Sequence, residues 1–313
     1  MARIVITGGA GFIGSNLAHA LVARGDSVAI IDNFSTGRRL NLADLAGQID
    51  VHEGDIRDRP LLKAAFVDAD YVLHQAALPS VARSVEDPEL SHDVNVNGTL
   101  YVLQAARAAG VKRVVFAASS AAYGETPILP KVETMAPQPI SPYGAGKLFG
   151  ETYCQVWTKC YGLECVALRY FNVFGPRQSP DNEYAAVIPR FVTWMQQGKL
   201  ATLFGDGGQT RDFCYIDNVV EANLKAMVAP AAPGNVYNVA LGTRVSLLDL
   251  VDEINRALGV QLPPVHLPPR AGDIRDSLAD ITAIRRDLGY TGQVSFAEGL
   301  RRAIAWYAAH PEG

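Results

Sequence analysis

Residues 7–14 read TGGAGFIG. Behind them lies RIVIT (3–7), a short β-branched run. Ahead lies FIGSNLAHALVARG (12–25), with apolar residues at helical spacing and a glycine at its end. A strand that passes into a helix across Gly8, Gly11 and Gly14 leaves few choices of fold. Glycines let the backbone turn sharply and approach a ligand closely. The helix start supplies free amide donors and partial positive charge. Such a turn suits the pyrophosphate of a dinucleotide, and Phe12 and Ile13 fall inside it.

The next run, SVAIID (27–32), ends on Asp32, 18 residues after Gly14. A carboxylate there suits the adenosine ribose hydroxyls of NAD and repels the 2′-phosphate of NADP, a preference that Arg38 and Arg39 nearby would soften. IDVHEGD (49–55), ADYVLHQAA (69–77), VKRVVFAAS (111–119) and LECVALRYF (163–171) are further apolar, β-branched runs. Helices fit between them at 58–66, 89–109 and 142–161. Strict alternation predicts a doubly wound parallel α/β sheet covered on both faces. GDIRD (54–58) follows the third strand and places Asp55 and Ile56 to bracket an adenine.

After Phe171 elements shorten, Pro and Gly become frequent, and arginines recur in loops such as GDGGQTRDFCYID (205–217) and PPVHLPPRAGDIRDSLAD (263–280). This predicts a dinucleotide-binding domain over 1–171 and a smaller α/β substrate-binding lobe over 172–313, partly interleaved with the first. Asp217 and Ser246 are expected to cap helices near 218–229 and 247–258.

A net charge of −4 excludes a general basic field for nucleic acid or anionic membrane. No window approaches a membrane-spanning length, and the glycines in the apolar N-terminus argue against a signal peptide. Cys154, Cys160, Cys165 and Cys214 lack metal-ligand spacing, so no metal is expected, and all four read as buried apolar residues in a reducing cytoplasm.

Ser119 and Ser120 close the run FAASSAAYG (116–124), at the carboxyl end of a central strand, where doubly wound sheets bind ligands. SPYGAGK (141–147) follows. Ser141 is a candidate N-cap and Pro142 fits the first turn, so Tyr143 and Lys147 share one helix face. Gly144 and Gly146 between them would each cost roughly 0.8–1 kcal/mol against alanine in a helix interior. They read as close-approach positions, toward the cofactor or a neighbouring helix. A tyrosine with an ordinary pKa near 10 is a poor base at neutral pH. A lysine and a positive nicotinamide beside it should favour the phenolate.

With these residues in place the chain resembles the extended short-chain dehydrogenase/reductases, and within them the nucleotide-sugar (UDP-glucose and UDP-N-acetylglucosamine) 4-epimerases. TGGAGFIGSNL, DNFSTG, GDIRD, HQAALPSVARS, NVNGT, AASSAAYG, SPYGAGK, LRYFNVFGPRQ, AAVIPRF, GDGGQTRDFCYI and PRAGDIRDSLAD carry the resemblance over nearly the whole chain. It implies a Rossmann-type domain with bound NAD and a UDP-sugar substrate. Tyr143 would be the base at the sugar's carbon-4 hydroxyl, Ser119 would bond the same oxygen, and Lys147 would assist. Carbon 4 would be oxidised to a transient 4-keto sugar that turns and is reduced from its other face. Among cofactor positions the resemblance adds Asn33, Ser35, Thr36 and Gly37, then Gln75, Ala76 and Ala77, then Asn95, Tyr170 and Val173. For the substrate it adds Ser80 and Ser120, the UDP-binding positions Asn172, Arg211, Arg270 and Asp273, and Ala186, Val187 and Phe191 flanking the uridine. Ala121 departs from the pattern, which often has Ser or Thr there.

In such relatives a bulky tyrosine at the position of Ser277 restricts the pocket to plain hexoses. A serine there implies room for an N-acetyl group. 4,6-Dehydratases share the fold but carry an Asp-Glu pair where this chain has Ser120 and Ala121. UDP-glucuronate 4-epimerases and decarboxylases stay open as alternatives, as does a non-catalytic NAD-binding regulator. The resemblance further implies a cytoplasmic homodimer joined through the helices near 89–109 and 142–161.

Overall fold

Side chains in a strand alternate between faces, and here both faces are buried. In β1 (Arg3–Thr7), Ile4 and Ile6 enter one core and Val5 the other. The computed structural model describes residues 1–180, 187–269 and 275–311. β1 is followed by β2 (Ser27–Asp32), β3 (Ile49–Glu53), β4 (Tyr71–His74), β5 (Arg113–Ser119) and β6 (Glu164–Tyr170). Together with the strand Val236–Val239 they form a seven-stranded parallel sheet, in the order Val236–Val239, β6, β5, β4, β1, β2, β3. Strand order reverses between β1 and β4, which opens a crevice at the carboxyl ends of these strands.

Helices α1 (Phe12–Ala23), α2 (Arg59–Ala65), α3 (Val81–Glu86), α4 (Pro88–His92), α5 (Thr99–Ala108) and α6 (Pro142–Tyr161) belong to the first half. α1 packs in the core on one face of the sheet, and α2, α5 and α6 in the core on the other. The span expected as one helix over 89–109 is broken by a π-type turn, Asp93–Gly98. That turn carries a buried Asn95, whose side chain serves another segment.

The second half adds α7 (Val187–Gln196), α8 (Ile216–Val228), α9 (Leu247–Leu258), α10 (Thr282–Leu288) and α11 (Phe296–Ala309). Val236–Val239 returns to the edge of the central sheet beside β6. Phe191, Leu250 and Leu300 share a core with Leu17 and Val166, so the two halves are not separately packed. Ser246 caps α9 in a reciprocal capping box with Asp249. Asp217 does not cap: α8 starts two residues earlier than expected, Tyr215 holds the cap position without a side-chain bond, and Asp217 pairs with Arg302 at 3.1 Å. Cys154, Cys165 and Cys214 are buried, whereas Cys160 is exposed at the solvent side of α6, contrary to expectation. No acidic, cysteine or histidine cluster that could hold a metal occurs among the described residues.

One buried chain of hydrogen bonds ties the strand ends together. Thr99 Oγ1 donates to the Asn95 carbonyl at 2.8 Å, so it accepts from His74 Nε2 at 3.0 Å. His74 Nδ1 is thereby left to accept from Thr7 Oγ1 at 2.7 Å. His74 is fully buried, and burial, with the nearby Lys147 charge, holds its pKa down at about 3. Below pH 6.5 the unfolded chain takes up a proton that the folded protein refuses. Stability is therefore full above pH 6.5 and falls by roughly 1.4 kcal/mol per pH unit below it. Urea unfolding at pH 6.5 and pH 5 should show a loss from this source of roughly 2 kcal/mol that is missing in His74→Asn. An equal loss in both proteins would remove His74 as the cause.

Candidate active site

A cleft of about 530 Å³ lies over the carboxyl ends of β1, β2, β4 and β5. Its volume suits a single elongated ligand. At one end the glycine turn forms the floor, with Gly8, Gly11, Phe12, Ile13 and Gly14 lining it. The start of α1 has Gly11 at its cap and no side-chain cap bond, which leaves its first amides to a ligand. The turn tolerates no side chains. Gly8 has φ +69, and a Cβ on Gly14 would lie 2.2 Å from the Gly8 carbonyl oxygen and 2.8 Å from Gly9 Cα. Both obstacles are backbone. Overpacking of this kind costs about 1–3 kcal/mol, so Gly14→Ala is expected to weaken cofactor binding by roughly ten- to a hundredfold. The cofactor content of the purified variant measures this, and content equal to the parent would contradict it.

Asp32 lines the cleft at the end of β2. Its Oδ2 accepts from the Ala10 amide and its Oδ1 from the Phe34 amide, each at 2.8 Å. Burial pushes its carboxyl above the usual range and the two amides pull it back. Two locked oxygens facing the cleft fit a ribose diol. Asn33, Ser35 and Thr36 line the same end, while Gly37 packs behind Asp32, where a Cβ would lie 2.9 Å from both carboxylate oxygens. Asp55 and Ile56 form the far wall, with Asp55 held by Arg57 at 2.8 Å and by Asn33 at 2.9 Å. Gln75, Ala76 and Ala77 follow β4 along the cleft, and Gln75 Nε2 donates to the Tyr170 hydroxyl at 3.2 Å. The uncapped helix start, the glycine cradle and the clamped carboxylate together fit a dinucleotide.

The other end of the cleft is chemical. Ser141 Oγ accepts from the Gly144 amide at 3.1 Å, Pro142 follows, and α6 begins where the sequence predicts. The helix brings Tyr143 and Lys147 to the cleft, with Ser119 beside the Tyr143 phenol. Burial pushes the Tyr143 phenol above its usual value, and Ser119 pulls it part of the way back. Lys147 does not supply that pull here. Its Nζ donates to the Ala117 carbonyl at 2.8 Å and lies 5.9 Å from the Tyr143 ring centroid. Burial holds the lysine's pKa down at about 8, against the opposing charge of Glu151. The two glycines are close-approach positions against the protein itself. A Cβ on Gly144 would lie 2.9 Å from the Ala121 carbonyl oxygen, and one on Gly146 would lie 3.2 Å from Asn95 Cβ.

A second cavity of about 210 Å³ is lined by Asn172, Val173, Phe174, Val187, Ile188, Arg211, Phe213 and Leu247. It brings together three positions expected to hold the UDP part: Asn172, Val187 and Arg211. Val173, expected at the cofactor, lines this cavity instead. Phe191 does not line it and is packed into the core at 4 % exposure. Asn95 lines neither cavity. It is spent on Leu78, accepting from its amide at 2.8 Å and donating to its carbonyl at 3.2 Å. Ser80 lines the main cleft, while Ser119 borders it through Tyr143. Ser120 and Ser277 line neither cavity; the Ser277 amide donates to the Thr210 carbonyl at 3.1 Å, beside Arg211. Ala186, Arg270 and Asp273 lie outside the described residues.

Sequence reasoning missed several lining residues: Asn41, Arg57, Arg83 and Arg177. Arg177 donates to Asn16 Oδ1 at 2.8 Å, and Asn16 Nδ2 donates to the Pro176 carbonyl at 3.0 Å. This fastens the loop after β6 to α1 and sets a cation beside the glycine turn. The backbone gave a clue only in three dimensions: Arg177 has φ +68, uncommon for a non-glycine residue.

Residues 4–240 match the model of the NAD dependent epimerase/dehydratase family. The UDP-glucose 4-epimerase of Mycolicibacterium smegmatis is 40% identical over 310 residues, covering 97% of this chain and 98% of that one. The structure of a UDP-N-acetylglucosamine 4-epimerase from Methanobrevibacter ruminantium, in complex with UDP-N-acetylmuramic acid, superposes with a TM-score of 0.94. It is 38% identical and covers 99% of each chain. The Thermus thermophilus UDP-glucose 4-epimerase in complex with NAD superposes with a TM-score of 0.88, at 37% identity over 98% of this chain and 99% of that one.

Proposed function

The chain belongs to the NAD-dependent epimerase/dehydratase family, and from that premise we propose that it is a UDP-hexose 4-epimerase interconverting UDP-glucose with UDP-galactose. Its cofactor is NAD. Gly8, Gly11, Gly14 and Asp32 would hold it, and when bound it would supply a hydride acceptor and donor for sugar carbon 4. The chain's own residues do the rest. Tyr143 removes and later restores the proton of the carbon-4 hydroxyl. Ser119 shares that oxygen, holding the phenol to one line of approach. Lys147, still protonated near neutral pH, lies on the same helix face, 5.9 Å from the Tyr143 ring centroid. Arg211 and Asn172 hold the nucleotide side in the second cavity.

One observation carries this choice within the family. Asp32 and Asp55 are the sole carboxylates lining the main cleft among the described residues, and both sit at its adenosine end. Around Tyr143 the groups are a phenol, a hydroxyl and an amine. That set suits proton exchange at one hydroxyl, and it lacks the carboxyl acid that expulsion of water would use.

We further propose that N-acetylated hexoses are accepted: Ser277, bonded to Thr210 beside Arg211 of the second cavity, is small where the resemblance sets a tyrosine for plain hexoses. Ser277→Tyr is expected to remove turnover of UDP-N-acetylglucosamine while sparing UDP-glucose. Loss of both, or of neither, would end the volume argument. The protein works as a homodimer joined through α5 and α6. On α6 a ladder of Phe149, Tyr153, Trp157 and Tyr161 has ring centroids 4.0–4.9 Å apart, and Tyr161 is exposed. Light scattering that finds a monomer at all concentrations would refute the dimer. The functional proposal itself is tested by incubating the protein with UDP-glucose, UDP-galactose, their N-acetyl forms and UDP-glucuronate, with no added NAD. Conversion within the hexose pairs supports it; release of a 4-keto sugar, or turnover of UDP-glucuronate alone, rejects it.

A further inference from the structure

The first amides of α6 are satisfied from two directions. The Gly144 amide bonds Ser141, which is local. The Tyr143 amide donates to Ser84 Oγ at 3.1 Å, and Ser84 is 59 residues away in the chain. Ser84 is fully buried in α3, and its hydroxyl proton goes to the Val81 carbonyl at 2.6 Å. One hydroxyl thus joins the backbone of the base to the middle of a six-residue helix.

That short helix is part of the cleft wall. Ser80 and Arg83 line the cleft, and Ser80 caps α3 by accepting from the Arg83 amide at 3.1 Å. The Ser84 amide closes the turn on the Ser80 carbonyl at 3.0 Å. Upstream, Leu78 also lines the cleft, and Asn95 clamps its amide and carbonyl. Asn95 in turn lies where Gly146 lets α6 come close. The segment 78–86 is therefore fixed to α6 twice. One tie reaches Tyr143 through Ser84, and the other reaches the next turn through Asn95.

We propose that Ser84 is a positioning residue for Tyr143: it locks the start of the catalytic helix to the wall formed by Leu78, Ser80 and Arg83, so that ligand contact with that wall and placement of the base are coupled. The proposal rests on Tyr143 being the base, and it adds a residue that touches neither cofactor nor substrate. Without the hydroxyl, the part-buried Tyr143 amide loses its partner, and the helix start must shift or open to water. A misplacement of about 1 Å at a reacting group can cost up to a hundredfold in rate.

The test compares Ser84→Ala and Ser84→Thr with the parent, all as holoenzymes. For Ser84→Ala, kcat should fall about ten- to a hundredfold, with bound NAD and KM changed much less. Ser84→Thr keeps the hydroxyl and should recover kcat to within a few fold. Hydrogen exchange should quicken at residues 143–147 in Ser84→Ala. The exchange arm decides the matter even if UDP-hexoses prove not to be substrates. An alanine variant with unchanged exchange at 143–147 would overturn the proposal. So would a lower melting temperature with kcat intact, or a well-folded threonine variant no better than alanine.

Discussion

Tyr143→Phe is expected to lower kcat by about 10²–10⁴, the usual contribution of a positioned acid–base group, while the purified protein keeps its NAD. Tyr143 lines the chemical end of the cleft, with Ser119 beside its phenol. The ring packs in the α6 turn anchored by Ser141 and Ser84, and removing one oxygen leaves those anchors in place. The glycine turn and Asp32, to which the cofactor is assigned here, are untouched by the change, so binding should persist. Chromatography of UDP-sugars and the absorbance of released cofactor give both values. A variant with near-parental kcat would remove Tyr143 as the base. It would also favour a protein that binds NAD for some purpose other than this chemistry.

Glu151→Gln should destabilise the fold by about 3–5 kcal/mol, the cost of removing one partner of a buried ion pair. Glu151 and Arg169 are bonded at 2.9 and 2.7 Å, with side chains only 3–4 % exposed. The Arg169 guanidinium lies 4.5 Å from the Tyr123 ring centroid, and its Nη1 has no other hydrogen-bond partner among the described residues. Without the carboxylate that charge stays buried and uncompensated. Typical domains have only about 5–15 kcal/mol in all, so urea unfolding should show the loss plainly. A second effect reaches the site. Glu151 lies one turn beyond Lys147 and its charge opposes the lowering of the lysine's pKa. In the variant that pKa should drop below about 8, and the alkaline fall in activity should move toward neutrality with it. A loss under about 1 kcal/mol would remove the first role, and an unmoved alkaline limb would remove the second.

The sequence made the first half legible because its signals are local. Strand, glycine turn and helix follow one another within residues 3–23, and the Ser141–Pro142 cap marks the start of α6 to the residue. The second half was opaque for a physical reason. α7 and α11 bury their apolar faces against distant segments, and the strand Val236–Val239 is recognisable only by its pairing with β6. Asn95 shows the same limit at the site. Its motif was visible, but its side chain is committed to Leu78, which periodicity cannot reveal. Val173 went to the second cavity because the chain turns sharply after Tyr170 into a two-residue pairing with Cys214–Tyr215. The phenolate-favouring contact expected from Lys147 is replaced by a bond to the Ala117 carbonyl, since a buried ammonium takes the nearest backbone acceptor.

The central claim is that hydrogen leaves and returns to the same carbon without leaving the protein. UDP-hexose carrying deuterium at carbon 4 tests this directly, in ordinary water and without added NAD. The product is predicted to retain its deuterium at carbon 4 in the inverted configuration, with none appearing in the solvent. Deuterium washed into water, or an epimer with hydrogen at carbon 4, would contradict the account.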